Sequence, residues 1–363
     1  MSDFIPGLRL SELFYHEAVG PILASSFPTL QYSSALLGSG SEVLGLDTPQ
    51  STDHHWGPRL QIFLSVDDYA AHAASMNQAL SKQLPHRFRD YPTNFGPPDN
   101  TGVRLLKDIG PGPVSHRVEI DRIESFFENY LGVNPYDEVR ILDWLTIPEQ
   151  RLLTVTAGRV YHDGLGKLNE ILRKFSYYPR DVWLYMLASQ WTRIAAEEAF
   201  IGRTGEVGDE LGSRIIAASL VRALMKLCFL MERQYAPYGK WLGTAFAQLS
   251  SAKSLSPVLG KVLVSKSWQE REQHLSTAYS LVAKIHNTLG ITKPLDTNVS
   301  PYYNRPYKVI HSERFADAIR ETIRDPEVQR ITTPIGSIDQ FIDCTEIMTN
   351  PQLYGKLRMM YDR

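Results

Sequence analysis

A run of glycine and serine early in the chain has the residue types that cradle phosphate. It is Gly38-Ser39-Gly40-Ser41, directly after the apolar residues 35–37. Glycine lets the backbone turn sharply and come close to a ligand, and serine hydroxyls add hydrogen-bond donors. If the following residues opened a short helix, its free N–H groups would attract the same anion. The run predicts a phosphate-binding turn, with an ordinary surface turn as the alternative.

An acid and two imidazoles, Asp53-His54-His55, follow the turn. On an extended chain residues i and i+2 point the same way, so Asp53 and His55 would share one ligand. This pair suits a divalent cation or proton transfer. The alternative is a surface polar cluster in which Asp53 caps a turn and the histidines pack against Trp56.

A further carboxylate occurs within an apolar run. Glu119 lies between Val118 and Ile120 on a candidate strand. A buried carboxylate needs a partner, and a metal shared with Asp53 would serve. Asp121 lies on the same strand face and is the substitute. The alternative is an edge strand with Glu119 facing water.

Elements that could position these residues are visible in the periodicity. Alternation and turn residues predict strands at 32–38, 59–65 and 116–123. Helical spacing predicts an amphipathic first helix at about 8–19, a helix from Asp67 or Asp68 that stops before Pro85, and one that Gly132 ends. Helical periodicity dominates after Leu142. The prediction is an α+β protein with a mixed sheet and helices in residues 1–163 and a helical domain in residues 164–363.

Composition narrows the function classes. The 363 residues carry a net charge of -2 from 38 basic and 40 acidic residues, which argues against a long nucleic-acid substrate. Cys228 and Cys344 are far apart, so we expect no disulfide framework and a reducing, cytoplasmic location. The apolar run 215–231 contains Arg222 and Lys226, and the N-terminus has no secretory pattern. We therefore expect no membrane partner.

The Gly-Ser turn, Asp53 and Glu119 together resemble the nucleotidyltransferase superfamily that includes DNA polymerase beta and the aminoglycoside nucleotidyltransferases. Its pattern is a strand, Gly-Ser, a short helix, an acid-x-acid pair and a third acid on a neighbouring strand. Over nearly the whole chain, longer segments are similar to an uncharacterised bacterial and fungal family with this fold. The segments are GSGSEVLGLDTPQSTDHHWGPRL, YYPRDVWLYMLASQWTRIAAEEAFIGRTGEVGDELGSRI, MERQYAPYGKWLGTAF and PIGSIDQFIDCTEI.

The resemblance implies a metal-dependent nucleotidyltransferase. It would move a nucleoside monophosphate from a nucleoside triphosphate, with ATP expected, to a hydroxyl of a small molecule, a protein or an RNA end. The Gly38–Ser41 turn would bind the nucleotide, and Asp53 and Glu119 would be catalytic. Asp53, His55 and Glu119 would hold Mg²⁺ or Mn²⁺.

Two departures from the superfamily pattern open alternatives. His55 stands where a second acid is expected, which weakens Mg²⁺ binding and favours Mn²⁺ or Zn²⁺. Pro58 after Gly57 predicts that Asp53 and His55 lie on a bulge or loop. The chain could accordingly be a catalytically degenerate nucleotide-binding or scaffolding module, or a metal-dependent phosphohydrolase.

The helical half supplies candidate partners for the phosphates. Arg233 and Lys240 resemble the phosphate contacts of aminoglycoside nucleotidyltransferases, and we expect them to reach a pocket in the cleft between the domains. The alternative is a solvated helix end with a snorkelling lysine. The acids at 197–209 include a candidate general base, although a salt-bridged helix connection is the favoured interpretation.

Overall fold

The structure is a computed structural model that describes residues 4–53, 55–100 and 102–361, without the side chain of Asp53. The strands are Ser33–Leu36 (β1), Arg59–Leu64 (β2), Arg87–Phe88 (β3), Tyr91–Pro92 (β4), Arg117–Arg122 (β5), Arg159–Asp163 (β6), Ser300–Pro301 (β7) and Lys308–Val309 (β8).

The helices outnumber the strands, and most of them follow the sheet in sequence. They are Gly7–Phe14 (α1), Gly20–Ser26 (α2), Val66–Gln83 (α3), Ile123–Leu131 (α4), Ile141–Thr146 (α5), Glu149–Thr156 (α6), Leu168–Lys174 (α7), Arg180–Glu197 (α8), Phe200–Glu206 (α9), Glu210–Met231 (α10), Gly239–Phe246 (α11), Ala252–Val264 (α12), Trp268–Thr288 (α13), Glu313–Arg320 (α14), Pro326–Gln329 (α15), Ile338–Phe341 (α16), Thr345–Met348 (α17) and Pro351–Leu357 (α18). Within the described residues, none combines the length and apolarity that crossing a membrane requires.

The chain divides into two compact units. Unit 1 contains Met1–Val139 and Arg151–Ser176, and unit 2 contains Arg140–Gln150 and Tyr177–Arg363. The predicted boundary after residue 163 falls within the second stretch of unit 1 and stays a prediction about domain organisation.

Unit 1 is built on a four-stranded mixed sheet with the order β5-β2-β1-β6. β1 runs antiparallel to both β2 and β6, and β2 runs parallel to β5. The three predicted strands are confirmed, as is the α+β class with an N-terminal mixed sheet. β6 is a strand that the helical periodicity after Leu142 did not reveal.

One face of this sheet forms the core of unit 1. Leu60, Ile62 and Leu64 of β2 and Val118 of β5 are buried in one cluster with residues of α1 and α3. Because side chains alternate along a strand, Arg59, Gln61 and Phe63 occupy the opposite face. All six residues of β2 are buried, so the two polar ones need internal partners.

The first helical segment is longer than predicted. α1 continues through a wide turn at Tyr15–Val19 into α2, which ends at Ser26, whereas the sequence predicted an end near Gly20. Pro21 lies in the first turn of α2, where its missing N–H costs no internal hydrogen bond.

Unit 2 is helical, which confirms the predicted class of the C-terminal region. α8 packs against α10 and α14, and α12 packs against α13. β7 and β8 form a two-residue antiparallel pair. α10 supplies eleven buried residues, with Leu220, Leu224 and Leu227 among them, so the apolar run 215–231 is a buried helix.

Candidate functional site

The predicted phosphate-binding turn leaves the end of β1 with two glycines in the left-handed region. Gly38 has φ 86° and Gly40 has φ 141°. A Cβ added to Gly40 would lie 2.5 Å from Glu42 Oε2 and 2.6 Å from Arg59 Nη2. Both the dihedral and the lack of space therefore require glycine at position 40.

The residues after this turn form a single hydrogen-bonded turn and no helix. Gly45 N–H donates to Glu42 O and Leu46 N–H donates to Ser41 O, each at 3.0 Å. The short helix considered for this segment is thus wrong. Any anion at the turn would be bound by the turn itself and by side chains.

A buried ion pair holds the turn. Arg59 Nε lies 2.9 Å and Nη2 lies 2.6 Å from Glu42 Oε1, and Arg59 Nη2 also donates to Ser39 O at 2.5 Å. The two side chains are 7% and 5% exposed. Burial alone would lower the pKa of Arg59, but Glu42 beside it raises that pKa overall. The Arg59 side chain, which stays charged, thereby attaches the turn to β2.

A side-chain amide holds the residue before the turn. Gln61 Nε2 donates to Leu37 O at 3.1 Å, and Leu37 N–H donates to Gln61 Oε1 at 3.0 Å. Gly38 N–H donates to Thr154 O at 3.0 Å. These bonds satisfy the backbone groups of Leu37 and Gly38, which lie beyond the end of β1 and have no strand partner. The turn therefore begins from a fixed position.

An aromatic and a cation lie beside the exposed serine of the turn. Ser39 Oγ is 3.3 Å from Tyr130 OH, which is 2.8 Å from Thr154 Oγ1. The guanidinium carbon of Arg151 lies 4.2 Å from the centre of the Tyr130 ring. A positive charge therefore lies against the ring whose hydroxyl contacts Ser39.

Arg117 joins two of the predicted site residues, His55 and Glu119. Its Nη1 is 2.6 Å from His55 Nδ1, and its Nη2 donates to Glu119 Oε1 at 3.2 Å. In the parallel pairing of β2 with β5, Arg117 is opposite Arg59 and Glu119 is opposite Gln61. His55 and Glu119 thus meet through Arg117 at the same end of the sheet as the turn.

The contact with Arg117 decides what His55 can ligate. A guanidinium only donates, so Nδ1 must accept, and the proton of a neutral ring is then on Nε2. Metal coordination through either nitrogen would require this contact to break. His55 as placed does not fit a metal ligand, and the described residues contain no group of three or more His, Cys, Asp or Glu suited to a metal.

The Asp53 side chain and His54 lie outside the described residues, so convergence of Asp53 with His55 and Glu119 stays a prediction. The backbone does differ from the extended chain on which that prediction depended. Pro49–Asp53 forms a 3₁₀ turn, and His55 has φ 53°. β2 begins only at Arg59, as the Gly57-Pro58 sequence predicted.

Glu119 is more exposed than a buried metal ligand would be. Its side chain is 51% exposed, and β5 is an edge strand of the sheet. Asp121 lies on the same face two residues later, and burial raises its pKa, with a smaller contribution from the Glu119 carboxylate. Glu119 and Asp121 share this face as expected, and of the two alternatives for Glu119 the structure matches the edge strand with the carboxylate facing water.

Arg233 and Lys240 belong to unit 2, and their approach to the Gly38–Ser41 turn stays a prediction. The guanidinium carbon of Arg233 lies 4.1 Å from the Trp183 ring centre, and Lys240 Nζ lies 5.0 Å from that of Trp241. Both residues are exposed. Unit 1 itself supplies cations at the turn end of the sheet, Arg59 and Arg117.

The acids at 197–209 bond to groups of unit 2 itself. Glu198 accepts from Ile310 N–H at 3.1 Å and from the N–H and Oγ of Ser312 at 3.1 and 3.0 Å. Glu197 accepts from Ser219 Oγ at 2.7 Å, and Asp209 caps α10. These contacts agree with a structural helix connection.

Sequence reasoning missed the cations that organise this site. The sequence predicts Arg59 and Arg117 only as strand residues, and Arg151 only as part of the helical region after Leu142. A usable signal existed for Arg59, because a charge inside an otherwise apolar strand must find a partner. The pairing of Arg151 with Tyr130 joins residues far apart in sequence and had no local signal.

Comparisons with known proteins add little to this geometry. A family model for a domain of unknown function (DUF4037) matches residues 144–242, which is less than half of the chain. No curated protein matches. Among solved structures, the chain is similar to a nucleotidyltransferase-like protein from Exiguobacterium sibiricum 255-15, with 10% identity, coverage of 78% of this chain and 77% of that chain, and a TM-score of 0.32. A TM-score of this size does not establish a shared fold, so the fold class rests on the sheet and helices themselves.

Proposed function

We propose that the chain is a nucleotidyltransferase that moves a nucleoside monophosphate from a nucleoside triphosphate, with ATP as the first candidate, to a hydroxyl acceptor. One observation supports this most directly. The Gly38–Ser41 turn, Arg59, Arg117 and Glu119 meet at one end of a mixed sheet. A glycine-containing turn held beside fixed cations suits phosphate, and the exposed Glu119 carboxylate nearby suits the metal ion of a phosphoryl-transfer reaction.

In this proposal the protein acts mainly by positioning. The turn, with Ser39 and Ser41, would hold phosphate oxygens, and Arg151 would balance their charge. Asp53 and Glu119 would hold Mg²⁺ or Mn²⁺, whose charge would neutralise the phosphates; His55 could join them only after releasing Arg117.

A second candidate function is a nucleotide-binding or scaffolding module without catalysis. The hydrogen bond from Arg117 to His55 favours it, because it places a cation where the superfamily pattern expects a second acidic ligand. A guanidinium can bind phosphate without a metal. The module would then keep nucleotide binding and lose transfer.

Calorimetry and a transfer assay separate these functions. Binding of a non-hydrolysable ATP analogue is measured with and without Mg²⁺ and Mn²⁺ in wild type, Ser39→Ala and Glu119→Gln. Glu170→Gln, which changes an exposed carboxylate of unit 1 with only a loose i,i+3 partner, is the matched control. Transfer of labelled nucleotide to a panel of hydroxyl acceptors follows.

The transferase proposal expects analogue binding that weakens about tenfold or more in Ser39→Ala and a transfer activity that Glu119→Gln abolishes. Binding without transfer under either metal supports the module. No binding by wild type, or equal binding by Ser39→Ala and wild type, would contradict both candidates.

A further inference from the structure

Unit 2 contains a cavity of about 340 Å³ that none of the proposed nucleotide contacts uses. Its walls come from α8, from α10 and from the segment 339–343. That volume lies at the lower end of the range for small-molecule sites in proteins. Every residue that lines this cavity belongs to unit 2, and none of them takes part in the proposed nucleotide site.

Three cations line this cavity, which we call the α8–α10 cavity. Arg193 comes from α8, and Arg222 and Lys226 come from α10. Arg222 and Lys226 are four residues apart and therefore lie on one face of their helix. The positive groups thus reach the cavity from two different helices.

The two carboxylates in the lining are already engaged. Asp343 accepts from Arg222 Nη1 and Nη2 at 2.6 and 3.0 Å. Asp339 Oδ2 accepts from the Glu149 N–H at 2.8 Å. With both carboxylates ionised, three cations face two anions, and the lining keeps a positive charge.

Arg193 and Lys226 retain donors for a ligand. In the described part of the chain, Arg193 Nη1 donates to Gln340 O at 2.8 Å, and Lys226 Nζ donates to Asp339 O at 2.5 Å. Neither forms an ion pair within 4.0 Å there. A guanidinium has five N–H groups and an ammonium has three, so one bond each leaves most of their capacity unused.

We propose that the α8–α10 cavity binds the phosphate group of a small molecule, with Arg193 and Lys226 as its main contacts. A phosphate has several terminal oxygens and accepts from donors that approach from different directions. A planar carboxylate would be satisfied by one arginine fork. Two separate helices presenting one cation each match the phosphate better.

The position of Lys226 supports this ligand. Burial lowers the pKa of Lys226, and the nearby Asp339 and Glu149 carboxyls only partly oppose that effect. A doubly charged phosphate beside the ammonium would compensate its lost hydration. A bound phosphate would therefore stabilise the charged form of Lys226, which the neighbouring carboxyls stabilise only in part.

The test is calorimetry of the full chain with inorganic phosphate, pyrophosphate and, as a carboxylate probe, citrate. Arg193→Gln and Lys226→Gln remove one charge each, and Lys226→Arg keeps it. Lys253→Gln, at an exposed position of α12, is the matched control. Circular dichroism melting of each variant verifies that it is folded.

We expect saturable pyrophosphate binding that weakens about tenfold in each Gln variant and is kept in Lys253→Gln and in Lys226→Arg. Absence of binding to wild type, tighter binding of citrate than of phosphate probes, or equal binding by folded wild type and Gln variants would overturn the proposal. Ser39→Ala distinguishes the α8–α10 cavity from the nucleotide site. If only Ser39→Ala weakens pyrophosphate binding, the α8–α10 site is contradicted, whereas the proposed function is not.

Discussion

Arg59 donates from Nη2 to the carbonyl oxygen of Ser39 at 2.5 Å, from a side chain that is only 7% exposed. This hydrogen bond connects Ser39, the exposed serine of the candidate site, to a buried guanidinium in the interior of unit 1. Because Glu42 completes the pair, the shape of the turn and the stability of the unit depend on the same two side chains. A change in either should affect folding and ligand binding together.

Removing one partner of this pair should be costly. Arg59→Gln or Glu42→Gln leaves a buried charge without its counter-ion, and we expect each to lower the free energy of unfolding by about 3–5 kcal/mol. Urea unfolding measures this. Arg87→Gln is the control, because its pair with Asp108 is 50% and 68% exposed and should contribute less than about 1 kcal/mol. A loss at Arg59 no larger than at Arg87 would show that the buried pair does not stabilise unit 1.

Gly40 and Gly45 provide a matched test of the turn. Both have positive φ, 141° and 66°, but a Cβ at Gly40 would overlap Glu42 and Arg59, whereas nothing lies within 4 Å of one at Gly45. We expect Gly45→Ala to cost about 1–2 kcal/mol for its dihedral alone. Gly40→Ala should cost more and should also weaken binding of the ATP analogue. Equal effects of the two substitutions would mean that the contact with the ion pair is unimportant.

Much of the sheet was predictable, since three of its strands are short apolar or alternating segments. β1, β2 and β5 were each visible as apolar or alternating runs. β6 was not, because residues 159–163 follow a helical pattern directly and contain an exposed arginine and histidine. Its strand character comes from pairing with β1, which is a long-range property.

For the candidate site residues, the backbone element was more predictable than the side-chain contacts. Glycine and serine at 38–41 predicted a turn from local preference alone, and Glu119 was expected on a strand, which pairs with β2. The partner of His55 could not be inferred, because Arg117 reaches it from a strand 62 residues later in the sequence. Cations supplied by tertiary contacts decide the electrostatics of this site, and periodicity does not reveal them.

The Arg117–His55 contact predicts how metal binding should respond to mutation. Arg117→Ala removes a positive charge and releases His55 Nδ1, so we expect Mn²⁺ affinity to rise by about tenfold. This gain in Mn²⁺ affinity should disappear when Arg117→Ala is combined with His55→Ala. The gain in Mn²⁺ affinity should also decline as pH falls, because a protonated imidazole cannot coordinate.

Calorimetric titration with MnCl₂ at several pH values measures this, with Arg87→Ala as the control for loss of an exposed arginine. If Arg117→Ala binds Mn²⁺ no better than wild type, His55 is not a latent metal ligand. Position 55 would then have no metal role in this chain.

Glu149 gives unit 2 a stability that should depend on pH. Burial first, and the Asp339 carboxylate second, raise its pKa to about 8, although Ala236 N–H donates to it and Lys226 lies nearby. An ordinary glutamate has a pKa of 4.5. Between these values the folded chain binds more protons at this position than the unfolded chain does, so the contribution of Glu149 to stability falls as pH rises.

Glu149→Gln should remove this dependence, because its neutral amide can still accept from Ala236 N–H. Urea unfolding at pH 5.5, 6.5, 7.5 and 8.5 would show wild type losing stability relative to the variant by up to about 1.4 kcal/mol per pH unit, with the difference levelling above about pH 8. Glu170→Gln, at an exposed position, should give a constant difference from wild type. Parallel pH profiles for wild type and Glu149→Gln would mean that Glu149 is ionised in the folded chain, stabilised by Lys226 more strongly than burial opposes it.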